Sequence, residues 1–186
     1  MKNLYLVFVI LLLVLNVNAQ ESKDVKGTTT KMDVFASKTG AIVKFIDYSM
    51  PNLKKSLKNS FPIVETRIRK VISGGDVEFF YQISKTGQYD TKTASIAYED
   101  LIEVIKAFST LKSESVNDIS LNPDYLENKF VTADGFELGY YISNGKLVWA
   151  LVLEQYGSDN TVYVDDTSIL ESAFNSANQK IEELKR

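Results

Sequence analysis

An alternating apolar pattern that returns at a nearly fixed distance constrains this chain more than any other feature. Val77, Phe79, Tyr81 and Ile83 fall on one side of an extended segment, and 70 positions later Leu147, Trp149, Leu151 and Leu153 do the same. A period of two sends alternate side chains to opposite faces of a strand, so each set describes a strand with a buried face. Helical spacing follows each set: Leu101, Val104, Ile105 and Phe108, then Leu170, Ala173, Phe174 and Ala177, 69 positions apart. Strands followed by a helix, twice over, predict an α+β fold of two antiparallel β-meanders, each followed by a helix. The offset points to a ββββα duplication. Identical residues are few, so two unrelated halves sharing only binary patterning are the alternative.

The two halves cover residues 41–115 and 125–186 of a single domain over 32–186. Segments 33–36 and 41–46 flank Lys38-Thr39-Gly40 and predict two short strands and a turn. Residues 49–62, with Pro51 and Pro62 near the ends, predict a loop. Strands are expected over 65–72 and 77–83 across Ser73-Gly74-Gly75-Asp76, then over 93–97. In the second half they are expected over 129–132, 136–142, 146–154 and 161–164. Asn144-Gly145 is a strong hairpin signal, because both positions of the favoured turn need positive φ. Ser168 and Glu171 have capping-box spacing at the start of the last helix.

Residues 1–20 read as an address. Lys2 gives a positive start, residues 4–15 form an apolar run, and Val17-Asn18-Ala19 supplies a cleavage signal with Gln20 as the new N-terminus. An apolar run of that length spans only about 18 Å of a roughly 30 Å hydrocarbon core, which argues against an anchor. The expectation is a signal peptide over 1–19, cut between Ala19 and Gln20, then a flexible lead-in over 20–31 and no membrane span after cleavage. With 18 Lys to 3 Arg and no Cys, the chain resembles small exported proteins of Gram-negative bacteria. That resemblance implies a periplasmic or secreted protein.

The chain has no His and no Cys. This excludes a Ser-His-Asp triad, a Cys nucleophile, disulfides and the usual zinc sites. Ser109-x-x-Lys112, Ser158-Asp159-Asn160 and Lys-Thr-Gly at 38–40 and 85–87 match the three short signatures of serine β-lactamases. The order is wrong, however, and Ser109 falls near a helix C-terminus where that family's nucleophile opens a helix. Asp159, Asp165 and Asp166 are the carboxylates a hydrolase or a calcium ion would use, but one of the adjacent pair is more simply a helix-start residue. Lys54, Lys55, Lys58, Arg67, Arg69 and Lys70 could form a basic patch, although the net charge of −3 argues against a nucleic-acid partner. No cofactor motif and no metal site is read from the sequence.

In element order, the doubled ββββα unit resembles the PUR and Whirly families of single-stranded nucleic-acid binders over residues 41–186. No signature motif carries the resemblance, so it implies a fold and one alternative function but no site residues.

What remains is a surface. On the strand over 146–154, Val148, Ala150 and Val152 oppose the core-facing set and are also apolar, so this strand should be covered on both faces. Tyr141 of the neighbouring strand and, by the repeat, Phe80 of the first sheet belong to the same second face. The two sheets are expected to cover each other there. Otherwise Phe80, Tyr141, Val148 and Val152 form a ligand or partner surface. The function expected is an exported, non-catalytic binding or interaction module, for an unknown protein or small ligand or as an oligomer. A carboxylate-dependent hydrolase and a single-stranded nucleic-acid binder are the alternatives.

Overall fold

A computed structural model of the chain describes residues 29–55, 64–87 and 90–186. The segment 1–19 expected to be a signal peptide, the expected cleavage junction Ala19–Gln20, most of the expected lead-in and Lys58 lie outside the described residues. The element order is α1 (Lys31–Ala36), β1 (Val43–Leu53), β2 (Val64–Ser73), β3 (Asp76–Thr86), β4 (Thr91–Ala97) and α2 (Tyr98–Ser120). It continues with β5 (Tyr125–Val131), β6 (Glu137–Ser143), β7 (Lys146–Val152), β8 (Thr161–Val164) and α3 (Thr167–Leu184). The strands form two antiparallel four-stranded meanders, β1-β2-β3-β4 and β5-β6-β7-β8. The fold is α+β with a doubled ββββα plan. No helix among the described residues is long and apolar enough to cross a membrane.

The two hairpin turns occupy equivalent places. Gly74 and Gly75 have φ of 60° and 98°, and Asn144 and Gly145 have 50° and 69°. Both pairs take the left-handed conformation that a two-residue turn between right-twisted strands requires. Around them the registers agree: Tyr81 lies opposite Ile68 in one sheet and Leu151 opposite Leu138 in the other. The final hairpins differ. Tyr81 pairs with Ile96, but Leu151 pairs with Val162, so the second hairpin is four residues shorter. A three-residue longer run-in through Asp165 and Asp166 then nearly restores the offset.

Each helix serves both sheets. Helix α2 packs on β3 and β4 of its own half and on β5, β6 and β7 of the other, while α3 packs on β1, β2 and β8. One core cluster therefore includes Ile68, Tyr81 and Ile83 from the first sheet, Leu138, Trp149 and Leu151 from the second, and the apolar stripes of both helices. An aromatic series crosses it. Tyr81 meets Phe174 at 6.4 Å between ring centroids, Phe174 meets Phe108 at 6.0 Å, and Phe108 meets Trp149 at 5.5 Å, all edge to face. Such pairs add about 0.5–1.5 kcal/mol each beyond burial. Because the series runs from one sheet through both helices to the other, the halves share one core.

Four local expectations change. Residues 31–36 form a helix rather than a strand. Thr30 caps it, accepting from Asp33 N at 3.1 Å while Asp33 accepts from Thr30 N, and Met32 and Phe35 seat it on the first sheet. Strand β1 runs on to Leu53 through Pro51, because an edge strand with an irregular register after Met50 tolerates proline. Strand β5 begins at Tyr125, four residues early. Its inward Asn128 breaks the apolar alternation, yet it donates to Glu114 at 2.7 Å and to the Tyr140 hydroxyl at 3.2 Å. Helix α3 is capped by Asp166, which accepts from Ser168 N at 2.9 Å, and not by Ser168; Glu171 instead pairs with Lys112 at 2.7 Å.

Candidate functional site

The outer faces of the two sheets differ. On the first, Phe80 is 1% exposed and packs with Val71 and Ala97 under Met32 and Phe35 of α1. It is covered by this helix and not by the second sheet, so it offers no surface to a partner. Beside it a polar string crosses the strands: Arg67 Nε donates to Gln82 Oε1 at 2.8 Å, and Gln82 Nε2 donates to Ser95 Oγ at 2.8 Å. Burying Gln82 without these partners would cost several kcal/mol.

On the second sheet the outer face reads, strand by strand from β5, in rows. Glu127, Tyr141 and Val148 form one row, then Lys129, Gly139, Ala150 and Tyr163, then Val131, Glu137, Val152 and Thr161. Tyr141, Val148, Ala150 and Val152 are half-buried and, among the described residues, belong to neither core cluster. At the margins Tyr125 is 61% exposed and Tyr163 48%. Tyr141, Val148 and Val152 thus lie together on an open face, and Phe80 lies apart from them. The expectation that the two outer faces cover one another is not met.

Gly139 keeps the centre of this face flat. A Cβ there would collide with the Asn128 carbonyl and with Lys129 Cβ, because β5 approaches that closely. A charged string closes one side: Tyr125 donates its hydroxyl to Glu127 at 2.8 Å, and Lys129 pairs with Glu127 at 3.2 Å and with Glu137 at 2.9 Å. The Tyr125 hydroxyl and Lys129 hold the Glu127 carboxyl below the ordinary range, and Glu137 and Glu127 raise Lys129. These groups are engaged with each other, which leaves the apolar centre as the part of the face with unused contact capacity.

The other residues singled out from the sequence have structural roles. Asp166 caps α3, its carboxyl held low by Ser168. The Asp165 N–H donates to Lys55 O at 2.8 Å, and Asn160 Nδ2 donates to Glu154 O at 2.7 Å. Asp159 pairs with Lys85 at 2.6 Å, tying the β3–β4 hairpin to the β7–β8 loop. Two of the short β-lactamase-like signatures thereby serve one ion pair between the halves. Among the described residues no three carboxylates gather as a metal site. Arg69 makes a two-pronged bond to Asp47 at 2.7 Å, and Lys70 leaves the opposite face to lie over the Phe79 ring at 5.5 Å. The basic residues therefore do not share one surface.

Ala150, read from the sequence with Val148 and Val152, lies on the open face as expected, whereas Tyr125 and Tyr163 complete that face and were not singled out. Their signal was the strand register, which the displaced start of β5 and the short β8 concealed. Comparison of the chain with known protein families, curated proteins and solved structures finds no match.

Proposed function

We propose that the chain is an exported, non-catalytic interaction module that binds a protein partner through the open face of the second sheet. One observation carries the reading: Tyr141, Val148, Ala150, Val152 and Tyr163 form a contiguous apolar and aromatic face at the positions that α1 covers on the first sheet. A short segment of a partner, presenting two apolar side chains as Met32 and Phe35 do, fits this face. The sheet plane measures about 14 Å by 20 Å, or roughly 300 Å². A stable dimer needs nearer 800 Å² per partner, which favours a partner segment over a second copy. Export rests on the three-part N-terminal signal, and the absence of His and Cys removes the commonest nucleophile and base chemistry.

The test is site-specific photo-crosslinking from position 141 in the native cell envelope, with position 42, exposed near the start of β1, as control. A protein adduct at 141 only, lost in Val148→Asp/Val152→Asp while that variant stays cooperatively folded with a melting temperature lowered by only a few degrees, supports the reading. No adduct, or adducts at both positions, overturns it, and an adduct of twice the chain mass replaces the partner by a second copy. N-terminal mass analysis of the exported protein should show Gln20, free or cyclised, as the first residue.

A further inference from the structure

A cleft of about 480 Å³ opens where the outer face of the first sheet meets the start of α1 and the tip of the second sheet. Its volume lies in the lower part of the range for small-molecule sites, and it shares no lining residue with the open face. Three distant parts of the chain build it: Thr30 to Asp33, strands β2 to β4, and residues 134–136 with 153–156.

The charges of this cleft are segregated. Strand β2 contributes Arg67 and Arg69; the opposing loops and the helix start contribute Asp33, Asp134 and Glu154. Arg69 is committed to Asp47 through both prongs. Arg67 meets the same carboxylate only at longer range, its Nε 3.7 Å from Asp47 Oδ2. Its Nε is fixed by the buried Gln82, which Ser95 holds in turn, while its two Nη groups make no hydrogen bond among the described residues. A guanidinium oriented from behind with its fork open is suited to a carboxylate, which it grips through two parallel bonds.

The acidic side has the opposite vacancy. Asp134 accepts the Lys31 N–H at 3.1 and 3.0 Å, Asp33 accepts from Thr30, and Glu154 accepts the Thr93 N–H at 3.0 Å and is already paired with Lys92 at 3.3 Å, which leaves Asp134 as the acidic group on offer. Each carboxylate keeps lone pairs beyond these bonds. Burial, with Asp100 and Asp33 nearby and only Lys31 opposing them, pushes the Asp134 carboxyl above the ordinary range. Its described neighbours therefore leave its charge incompletely compensated.

We infer that this cleft binds a small zwitterion, a short peptide with free termini, whose carboxylate meets Arg67 and whose ammonium meets the Asp134 side. The site is independent of the partner face and stands if that reading fails. The experiment titrates the full exported chain with trialanine, N-acetyl-trialanine and trialanine amide, following amide shifts by NMR. Trialanine should shift the resonances of Ser95, Gln82 and Asp134, and each capped form should bind at least about tenfold more weakly, the loss of one charge-assisted pair. Arg67→Gln should weaken trialanine by a similar factor without changing the weak binding of the amide. Asp134→Asn, which still offers an oxygen to the Lys31 N–H, should do the same for the amino end. Because the capped peptides are compared on the unaltered protein, an unfolded variant leaves the test intact. No binding at millimolar trialanine, equal binding of all three peptides, or shifts confined to other surfaces overturns the proposal.

Discussion

Across the first sheet runs the row Asp47, Arg69, Phe80 and Ala97; in the same place on the second runs Lys129, Gly139, Ala150 and Tyr163. The inner rows of the two sheets are interchangeable in kind, with Tyr81 and Ile83 answered by Leu151 and Leu153 in one core. The outer rows are not. One ends in an ion pair and a phenylalanine sealed under a helix, the other in a glycine, an alanine and an exposed tyrosine. Inner faces are held alike because each must receive helices shared with the other half. Outer faces carry no such obligation, so they are where two similar halves have come to differ.

The largest effect tests the shared core. Phe108→Ala removes the ring between Phe174 and Trp149 and should cost about 3–5 kcal/mol. Since both sheets lean on it, unfolding should remain a single transition, with Trp149 fluorescence and far-ultraviolet dichroism superimposing. Two separated transitions would break the comparison, because the halves would then be independent units.

The outer faces are compared directly by Phe80→Asp and Val148→Asp. The first puts an unpaired carboxylate under α1 and should cost several kcal/mol. The second puts one on an open face and should cost about 1 kcal/mol or less, mostly the poorer strand propensity of Asp. Similar costs in urea unfolding would mean that the second face is covered as fully as the first.

Much of this architecture was legible in the sequence. The inner faces, both long helices and both two-residue turns follow from period two, period 3.6 and the Gly-Gly and Asn-Gly pairs. What was concealed shares a cause: a polar or constrained residue satisfied by something distant in sequence. Asn128 hides the start of β5 because its partners are Glu114 and Tyr140. Helix α1 is short, and its stability comes from Asp134, about a hundred residues away, and from the apolar floor of Phe80. The open face was half-legible. Val148, Val152 and Tyr141 follow from alternation on β6 and β7, whereas Phe80 was misassigned because the repeat could not reveal that α1 covers the outer face of the first sheet with no counterpart on the second among the described residues.

A smaller effect concerns that covering helix. Thr30→Ala removes the cap of α1 and should cost about 1 kcal/mol. Trypsin cleavage after Lys31 and Lys38 should accelerate in this variant while the global melting temperature falls by only a few degrees. Unchanged cleavage would mean that Met32 and Phe35 hold the helix without its cap, and that the asymmetry between the outer faces is a matter of packing alone.

The smallest effect is electrostatic. On the first sheet Arg69 grips Asp47 through two bonds and Arg67 adds its charge, so the Asp47 carboxyl lies below the ordinary range. On the second, Glu127 is lowered too, by Tyr125 and Lys129. A carboxyl depressed in the folded state stabilises it above the unfolded value near pH 4, and that contribution is lost as pH falls through the folded value. Both side chains of the second pair are more than 40% exposed, against 37% for Asp47 and 24% for Arg69, so solvent screens the second pair more. Above about pH 5, Asp47→Asn should cost a few tenths to about 1 kcal/mol, and Glu127→Gln less. Between about pH 4 and 2, Asp47→Asn should flatten the acid limb of stability more than Glu127→Gln does. Asp134 and Glu78 are raised by burial, so the stability they gain on protonation is largely complete above about pH 4, outside this window and alike in both variants. Equal flattening by the two substitutions would show that the polar parts of the two outer faces are energetically alike, and would confine their difference to α1 and the apolar residues.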